Sequence, residues 1–563
     1  MAATTLTQLG SGEKQPDGLT GLDARPRLRA VLRVLATVLA GLLVWFALVA
    51  PDRVSQLTPL VFARIPVEGL LVVAVALVLP DRPRRVLALL GGALLGVLAV
   101  VRVLDMGFYL ALGRPFDPLG DWAYFPSAAG LLRESIGRVE AGVFLVVAGG
   151  VLLGLLVLLP LSLRRLTELL ATHRRASVRA LALVAAGWLA ATLLGLQLVP
   201  GAPLAGAPVT DLAVRHVREV RAGLQDQQAF TRAAAVDPFR STPAAQLLTG
   251  LRGKDVIVAF VESYGRVAID GSPAAAGVEA GLDAGTRELQ GAGFAARSAY
   301  LTSPTFGGIS WLAHSTLQSG LWVDDQRRYN QLVSGDRLTL SQAFQRAGWR
   351  TVADVPSNQG DWPQGRSFYH YDQLYDAANV GYAGPSFSYA AMPDQYTLTE
   401  FGRRELTGTH RAPVMAEIDL VSSHTPWAPL PRMVDPADVG DGSVFHGMPE
   451  QGQTPDVVWR DPRAVRAAYQ QSIQYSMDAL VSFVTHQQDP NLVLVVLGDH
   501  QPATIVSGQH AGHDVPVSVI ARDPAVLDRI SGWGWQPGLR PAADAPVWRM
   551  DAFRDRFLTA FGS

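Results

Sequence analysis

Hydropathy divides this chain before any motif does. Apolar runs at residues 31–50, 65–80, 86–101, 141–163 and 180–199 all precede residue 200, and no run of that length follows. A helix crossing a bilayer core takes about 20 apolar residues, which the first, fourth and fifth runs supply. The second and third are shorter and carry Glu68 and Arg102 at or near their ends. A hairpin buried in a soluble globule is the competing reading of that pair. The expectation is a polar tail over 1–28, then an all-α bundle of five transmembrane helices over 29–200.

Arginines orient such a bundle. Arg25, Arg27, Arg29 and Arg33 precede or open the first run. Arg82, Arg84 and Arg85 follow the second, and Arg164, Arg165, Arg174, Arg175 and Arg179 follow the fourth. Loops rich in Lys and Arg stay in the cytoplasm, so an odd number of spans puts everything after Val199 outside. The reading is a multi-pass plasma-membrane protein with a cytoplasmic N-terminus. The first run lacks a small-residue cleavage site, which makes it an anchor. Arg64, Glu68, Arg102 and Asp105 cluster toward outer ends, as an ion-pair group or as a lipid-headgroup contact. The aromatic-rich stretch 107–138 suits the outer interface. A net charge of −1 offers no basic surface to nucleic acid, and the absence of cysteine excludes disulfides, zinc–thiolate sites and a Cys nucleophile.

Residues 201–250 are polar, with a helical pattern around 211–234, and read as a linker arm. From Lys254 the pattern changes. Strand-like runs at 256–261, 349–354, 414–421, 492–497 and 515–520 alternate with helical stretches at 278–290, 338–347 and 463–486. Such alternation predicts one extracellular α/β domain over 251–563 with a mainly parallel sheet.

Two of those runs end in ligand-type side chains. The run 256–261 is followed by Glu262, and 492–497 by Gly498-Asp499-His500. Two acids and an imidazole at the carboxyl edge of an α/β sheet suit one divalent cation. The oxygen-rich set with one nitrogen favours Mn²⁺, with Mg²⁺ and Zn²⁺ left open. Gly307-Gly308 then forms a loop ahead of Ser310-Trp-Leu-Ala-His314, which reads as the first turn of a helix. A hydroxyl there meets free backbone N–H groups and the positive end of the helix dipole, and a cation on it lowers its pKa. The plain alternative is that Ser310 only caps the helix.

The order and spacing of these residues resemble the alkaline phosphatase/sulfatase superfamily, most closely its lipoteichoic-acid-synthase-like phosphoglycerol transferase branch. The resemblance spans the membrane part, the linker and the outer domain. Glu262 in Val-Glu-Ser-Tyr matches the strand-end acidic ligand, and Gly498-Asp499-His500 the late Gly-Asp-His. Ser310 with Gly320 ten residues on matches the helix-opening nucleophile and its glycine. Ser310-Trp-Leu-Ala-His314 is similar to the Thr-Phe-x-Asn-His of related phosphodiesterases. His424-Thr-Pro-Trp427 and Met392-Pro-Asp394 resemble two further segments.

The resemblance implies an alkaline phosphatase/sulfatase-like fold with Glu262, Ser310, Asp499 and His500 around the metal. It implies Ser310 as nucleophile, with Thr305 as the alternative, because this branch usually uses Thr. His314, one turn below, either touches substrate or packs. His424, Trp362, Arg366 and His513 are implied substrate contacts. The implied activity moves a phosphoglycerol-type headgroup from a phospholipid such as phosphatidylglycerol to an envelope polymer or glycolipid, through a covalent Ser/Thr intermediate. A sulfatase-like hydrolase or phosphodiesterase on the same site, and a non-catalytic envelope scaffold, are the alternatives. Ser310 lacks the x-Pro-x-Arg that accompanies conversion to formylglycine, which speaks against an ordinary sulfatase.

Overall fold

A computed structural model describes residues 24–199, 202–270, 275–358, 360–408, 410–487 and 489–563. The expected tail over 1–28 therefore lies outside the described residues up to position 23. The chain forms two compact units. One comprises Met1–Ala50, Phe62–Val97 and Gly154–Val209, the other Pro51–Val61, Leu98–Leu153 and Thr210–Ser563.

Among the described residues seven helices occupy the N-terminal part: α1 (Ala24–Val49), α2 (Val67–Val78), α3 (Asp81–Leu112), α4 (Phe125–Ile136), α5 (Arg138–Thr172), α6 (Arg174–Leu193) and α7 (Pro208–Ala235). Each apolar run has its helix, but among the described residues only α1, α3, α5 and α6 are long and apolar enough to cross a membrane. The expectation of five spanning helices is corrected at α2. Its 12 residues extend about 18 Å at 1.5 Å per residue, short of a core about 30 Å thick. Prolines at both ends set that length. Pro66 precedes it, and Leu79 is extended (φ −78°, ψ 142°) because it stands before Pro80. Within the first unit α3 and α5 approach closely through Gly92 and Gly96. A Cβ on Gly92 would overlap Pro160, and one on Gly96 would lie 3.2 Å from the Leu155 carbonyl. Leu39, Leu183 and Leu193 remain exposed, as a lipid-facing surface requires.

Among the described residues the second unit is built on one sheet of nine strands. These are β1 (Asp255–Val261), β2 (Ala295–Thr302), β3 (Arg350–Asp354), β4 (Gln373–Tyr375), β5 (Val414–Leu420), β6 (Leu492–Gly498), β7 (Asp514–Ala521), β8 (Gln536–Pro537) and β9 (Val547–Arg549). The spatial order is β8-β2-β7-β6-β1-β5-β3-β4, with β9 beside β2. The half from β6 to β4 is parallel, as the alternation predicts. The other half is not: β7 runs antiparallel to both β6 and β2. The sheet is mixed because the chain turns back after His500 without a crossover helix long enough to carry it to the starting edge.

The central strand β1 is buried on both faces, so it reads as a continuous apolar run and not as an alternation. Ile257, Ala259 and Val261 pack on one side, under α8 (Ala276–Gly291), α10 (Asp394–Glu405) and α11 (Pro462–Gln487). Val256, Val258 and Phe260 pack on the other, under α9 (Ser310–Ser319). Two apolar layers fix the sheet and leave its carboxyl edge for polar side chains.

Candidate metal centre and nucleophile

Parallel pairing brings the first ligands together. β1 and β6 are in register with Val261 opposite Gly498, so the next residues along, Glu262 and Asp499-His500, leave adjacent strands side by side. The Ser310 hydroxyl donates to Glu262 Oε2 at 2.9 Å and lies 3.2 Å from His500 Nε2. His500 Nε2 is 3.3 Å from Glu262 Oε1 and 3.4 Å from Asp499 Oδ2. Ligand atoms about 3.0–3.5 Å apart are what bonds of about 2.0–2.2 Å to one central ion produce.

The surroundings orient these atoms toward a common point. Asp499 Oδ1 accepts the Ser263 and His500 backbone N–H groups, both at 2.7 Å. Its Oδ2 is buried and accepts no hydrogen bond. His500 Nδ1 faces the Gln501 carbonyl at 2.8 Å, which puts the proton there and leaves the Nε2 lone pair for the cluster. Ser263, held in the left-handed region (φ 57°), donates its hydroxyl to Glu262 Oε1 at 3.1 Å. Ser423 donates to the Glu262 carbonyl at 2.6 Å. A divalent cation fits this donor set, with Asp499 Oδ2 as the buried atom that accepts no hydrogen bond.

The charges are strongly coupled. Burial alone would raise Glu262, but the His500 charge and hydrogen bond, with His424, hold it well below the usual carboxylate range. Burial and the Glu262 charge push Asp499 up to about 7. Burial opposes charge on His500, yet Asp499 and Glu262 raise it to about 9, so Nε2 carries a proton near neutral pH that a bound cation would replace.

Ser310 is not a helix cap. The cap position belongs to Ile309, which bonds no side chain and sits at φ 66°, a costly region for a β-branched residue. That strain delivers Ser310 as the first helical residue with its hydroxyl on Glu262. The preceding loop is equally constrained: Gly307 (φ 71°) leaves no room for a side chain against the Ala111 carbonyl. Its N–H donates to the Gln501 carbonyl at 2.8 Å.

The other expected residues are spread more widely. Thr305 is buried and its hydroxyl has no partner, but no contact joins it to Glu262, Asp499 or His500. His424 stacks on Tyr389 with ring centroids 3.4 Å apart. Burial lowers its pKa, while the Glu262 charge works against that, which places it within electrostatic reach of the cluster. His513 faces the Ser303 carbonyl at 3.2 Å and the Phe306 ring at 5.5 Å, and burial lowers it too. Trp362 packs beside Tyr369 and Tyr371, and Arg366 donates to the Asp372 carbonyl at 3.4 Å; no contact ties either to the cluster. His314 meets Glu417 and Asp419, and it lies within electrostatic reach of Asp499.

Sequence reasoning missed Ser263, Ser423, Tyr389, Glu417 and Asp419. Glu417 and Asp419 had a signal: two acids at i and i+2 inside the apolar run 414–421.

No protein-family model matches the chain, and no curated protein does. Solved structures do. The lipoteichoic acid synthase LtaP of Listeria monocytogenes is 14% identical over 52% of this chain and 71% of its own, with a TM-score of 0.32. Lipooligosaccharide phosphoethanolamine transferase A, an integral membrane protein of Neisseria meningitidis, is 12% identical over 89% and 87%, with a TM-score of 0.44. The phosphoglycerol transferase GacH of Streptococcus pyogenes is 12% identical over 60% and 90%, with a TM-score of 0.33. With overlaps of this size, the chemistry of this chain rests on its own side chains.

Proposed function

We propose that the protein is a membrane-anchored phosphotransferase in which the Ser310 hydroxyl attacks a phosphodiester. The observation that carries this reading is the contact of Ser310 Oγ with both Glu262 and His500 at the opening of α9. A serine aimed at two ionisable ligand-type groups, with helix N–H groups beside it, is arranged for attack on an anionic centre.

Glu262, Asp499 and His500, with Ser310, would hold one divalent cation, Mn²⁺ first and Mg²⁺ or Zn²⁺ as alternatives. When bound, such an ion supplies positive charge that favours the alkoxide and neutralises phosphoryl oxygens. The chain's own residues do the rest. The Ser310 proton leaves along its contact with Glu262 Oε2. The Ser310 Oγ–P bond forms as the bond from phosphorus to diacylglycerol breaks, and that alcohol departs with a proton. An acceptor hydroxyl then attacks the phosphoserine, and its proton returns Ser310 to the hydroxyl form. The first-turn N–H groups of α9 face the phosphate. His424 and His513, whose pKa values burial lowers, border the headgroup. Thr305 is the alternative nucleophile, and Trp362 and Arg366 are more distant candidates for headgroup contact.

The four helices among the described residues that are long and apolar enough to cross a membrane suit a donor such as phosphatidylglycerol, because enzyme and lipid then share one surface. We read 201–250 as the arm and 251–563 as the catalytic domain, with a polymer or glycolipid as acceptor; four crossings alone put the tail over 1–28 and the catalytic domain on one side, so a cytoplasmic tail with an outer catalytic domain requires α2 to complete a fifth crossing. The test uses full-length protein with vesicles containing headgroup-labelled phosphatidylglycerol. Ser310→Ala and Glu262→Ala abolish label release if the reading holds; undiminished release in both refutes it.

A further inference from the structure

A second cluster lies beneath the first, and the chemistry above leaves it unused. His314, Glu417 and Asp419 bring one imidazole and two carboxylates together, with one ligand atom from each within 4.8 Å of the others. His314 Nδ1 is 3.1 Å from Glu417 Oε1 and 3.5 Å from Asp419 Oδ1. These are the spacings of the Glu262–Asp499–His500 group, and they match ligands gathered around an ion at about 2.0–2.2 Å.

The parallel extends to the supporting contacts. At the first cluster Asp499 Oδ2 is buried and accepts no hydrogen bond; at the second the same is true of Asp419 Oδ1. Glu417 Oε2 is tied by the Gln318 side-chain amide and by the Tyr371 hydroxyl at 2.7 Å, which turns Oε1 toward the cluster. Such outer contacts are how proteins aim a carboxylate at a metal. His314 is fixed by stacking on Phe260, ring centroids 3.8 Å apart and planes 12° from parallel. Phe260 lies opposite Asp419 in the β1–β5 register, so ring and carboxylate share one face of the sheet. Ser310, His314 and Gln318 follow one another at i, i+4 and i+8 on α9, so one helix stripe carries all three. Glu417 is buried, and a buried carboxylate is costly unless positive charge lies beside it.

We propose that His314, Glu417 and Asp419 form a second divalent-cation site, separate from the one at Ser310. One imidazole with two carboxylates favours Zn²⁺ or Mn²⁺. An ion there bridges α9 to β5 and fixes the helix on which Ser310 rides. This inference does not depend on the reaction assigned to Ser310.

The test counts ions on the full-length protein in detergent. The protein is stripped with a chelator, reloaded with Zn²⁺ or Mn²⁺, desalted and measured by elemental mass spectrometry. The wild type retains two ions per chain. Asp419→Asn and His314→Gln each retain one, as does Asp499→Asn, and Asp419→Asn with Asp499→Asn retains none. A wild type that holds one ion, lost in Asp499→Asn and kept in Asp419→Asn, overturns the site and makes the cluster a buried ion pair. Anomalous diffraction from the reloaded wild type decides the question without any variant. A peak between His314 and Asp419 supports the site, and a peak at the first cluster alone overturns it.

Discussion

Asp394 offers a pH-dependent test of how the loop behind the metal centre is held. It opens α10, is wholly buried, and clamps the loop that follows β5. Its Oδ1 accepts the Ser422 N–H at 2.9 Å, its own N–H donates to the Ser422 hydroxyl at 3.0 Å, and Ser476 donates to Oδ2 at 2.6 Å. The next residue, Ser423, holds the carbonyl of Glu262. Burial outweighs these hydrogen bonds and pushes Asp394 up to about 6. In the unfolded chain the same carboxyl titrates near 3.9. Between about pH 4 and 6 the folded protein therefore binds more protons than the unfolded one, and stability falls as pH rises through that window. Two units at about 1.4 kcal/mol each put the loss near 3 kcal/mol, complete above about pH 7 and absent below about pH 4. Asp394→Asn keeps the shape and the acceptor for Ser422 but has no charge to bury. Equilibrium unfolding of full-length wild type and variant from pH 4 to 8 should coincide within about 1 kcal/mol at the acid end. The variant should gain steadily above it, to about 3 kcal/mol. A difference that is flat with pH, or a variant that loses ground toward pH 7, refutes a raised carboxyl at this position.

Gly307→Ala sets a Cβ against the Ala111 carbonyl and displaces the loop before Ser310. A displacement near 1 Å at a nucleophile costs about 100-fold in turnover. Gly512→Ala, with open space around it, leaves headgroup release unchanged and serves as its control. Chelation of the wild type abolishes headgroup release and Mn²⁺ restores it, measured as label freed from vesicles; release that persists in chelator contradicts the role given to Glu262, Asp499 and His500. Arg554→Met strands Asp237, which Arg554 meets at 3.0 Å in a fully buried ion pair. Removing one partner of such a pair costs about 3–5 kcal/mol, reduced here because Arg337 also lies 3.1 Å from Asp237. Chemical denaturation reads that loss directly.

Much of the site is legible in the sequence because parallel strands buried on both faces leave plain apolar runs, and the residue after each run sits at the carboxyl edge. Glu262 and Asp499-His500 were readable for that reason, and the structure gathers them with Ser310. The strand β2 was not readable: Ala-Ala-Arg-Ser-Ala-Tyr-Leu-Thr has no apolar run, and its buried Ser298 is satisfied by Ser518 across β7 at 2.7 Å. A polar pair of this kind is visible only once the strands are paired. The reversal of β7 was hidden for a related reason, since strand direction depends on how the chain returns and not on composition. α2 was misjudged because its apolar run is longer than the helix that flanking prolines permit. His314 shows the reverse limit. It stands one turn below Ser310 on α9, but its partners lie on a strand a hundred residues later, and only the fold brings Glu417 and Asp419 to it.

The central claim is that Ser310 oxygen bonds to phosphorus during turnover. Wild-type protein is mixed with labelled phosphatidylglycerol, quenched in acid within the first turnover and digested for peptide mass spectrometry. The account predicts a glycerophosphoryl adduct on the peptide containing Ser310, absent in Ser310→Ala. An adduct on Thr305 instead, or steady headgroup release by Ser310→Ala, contradicts it.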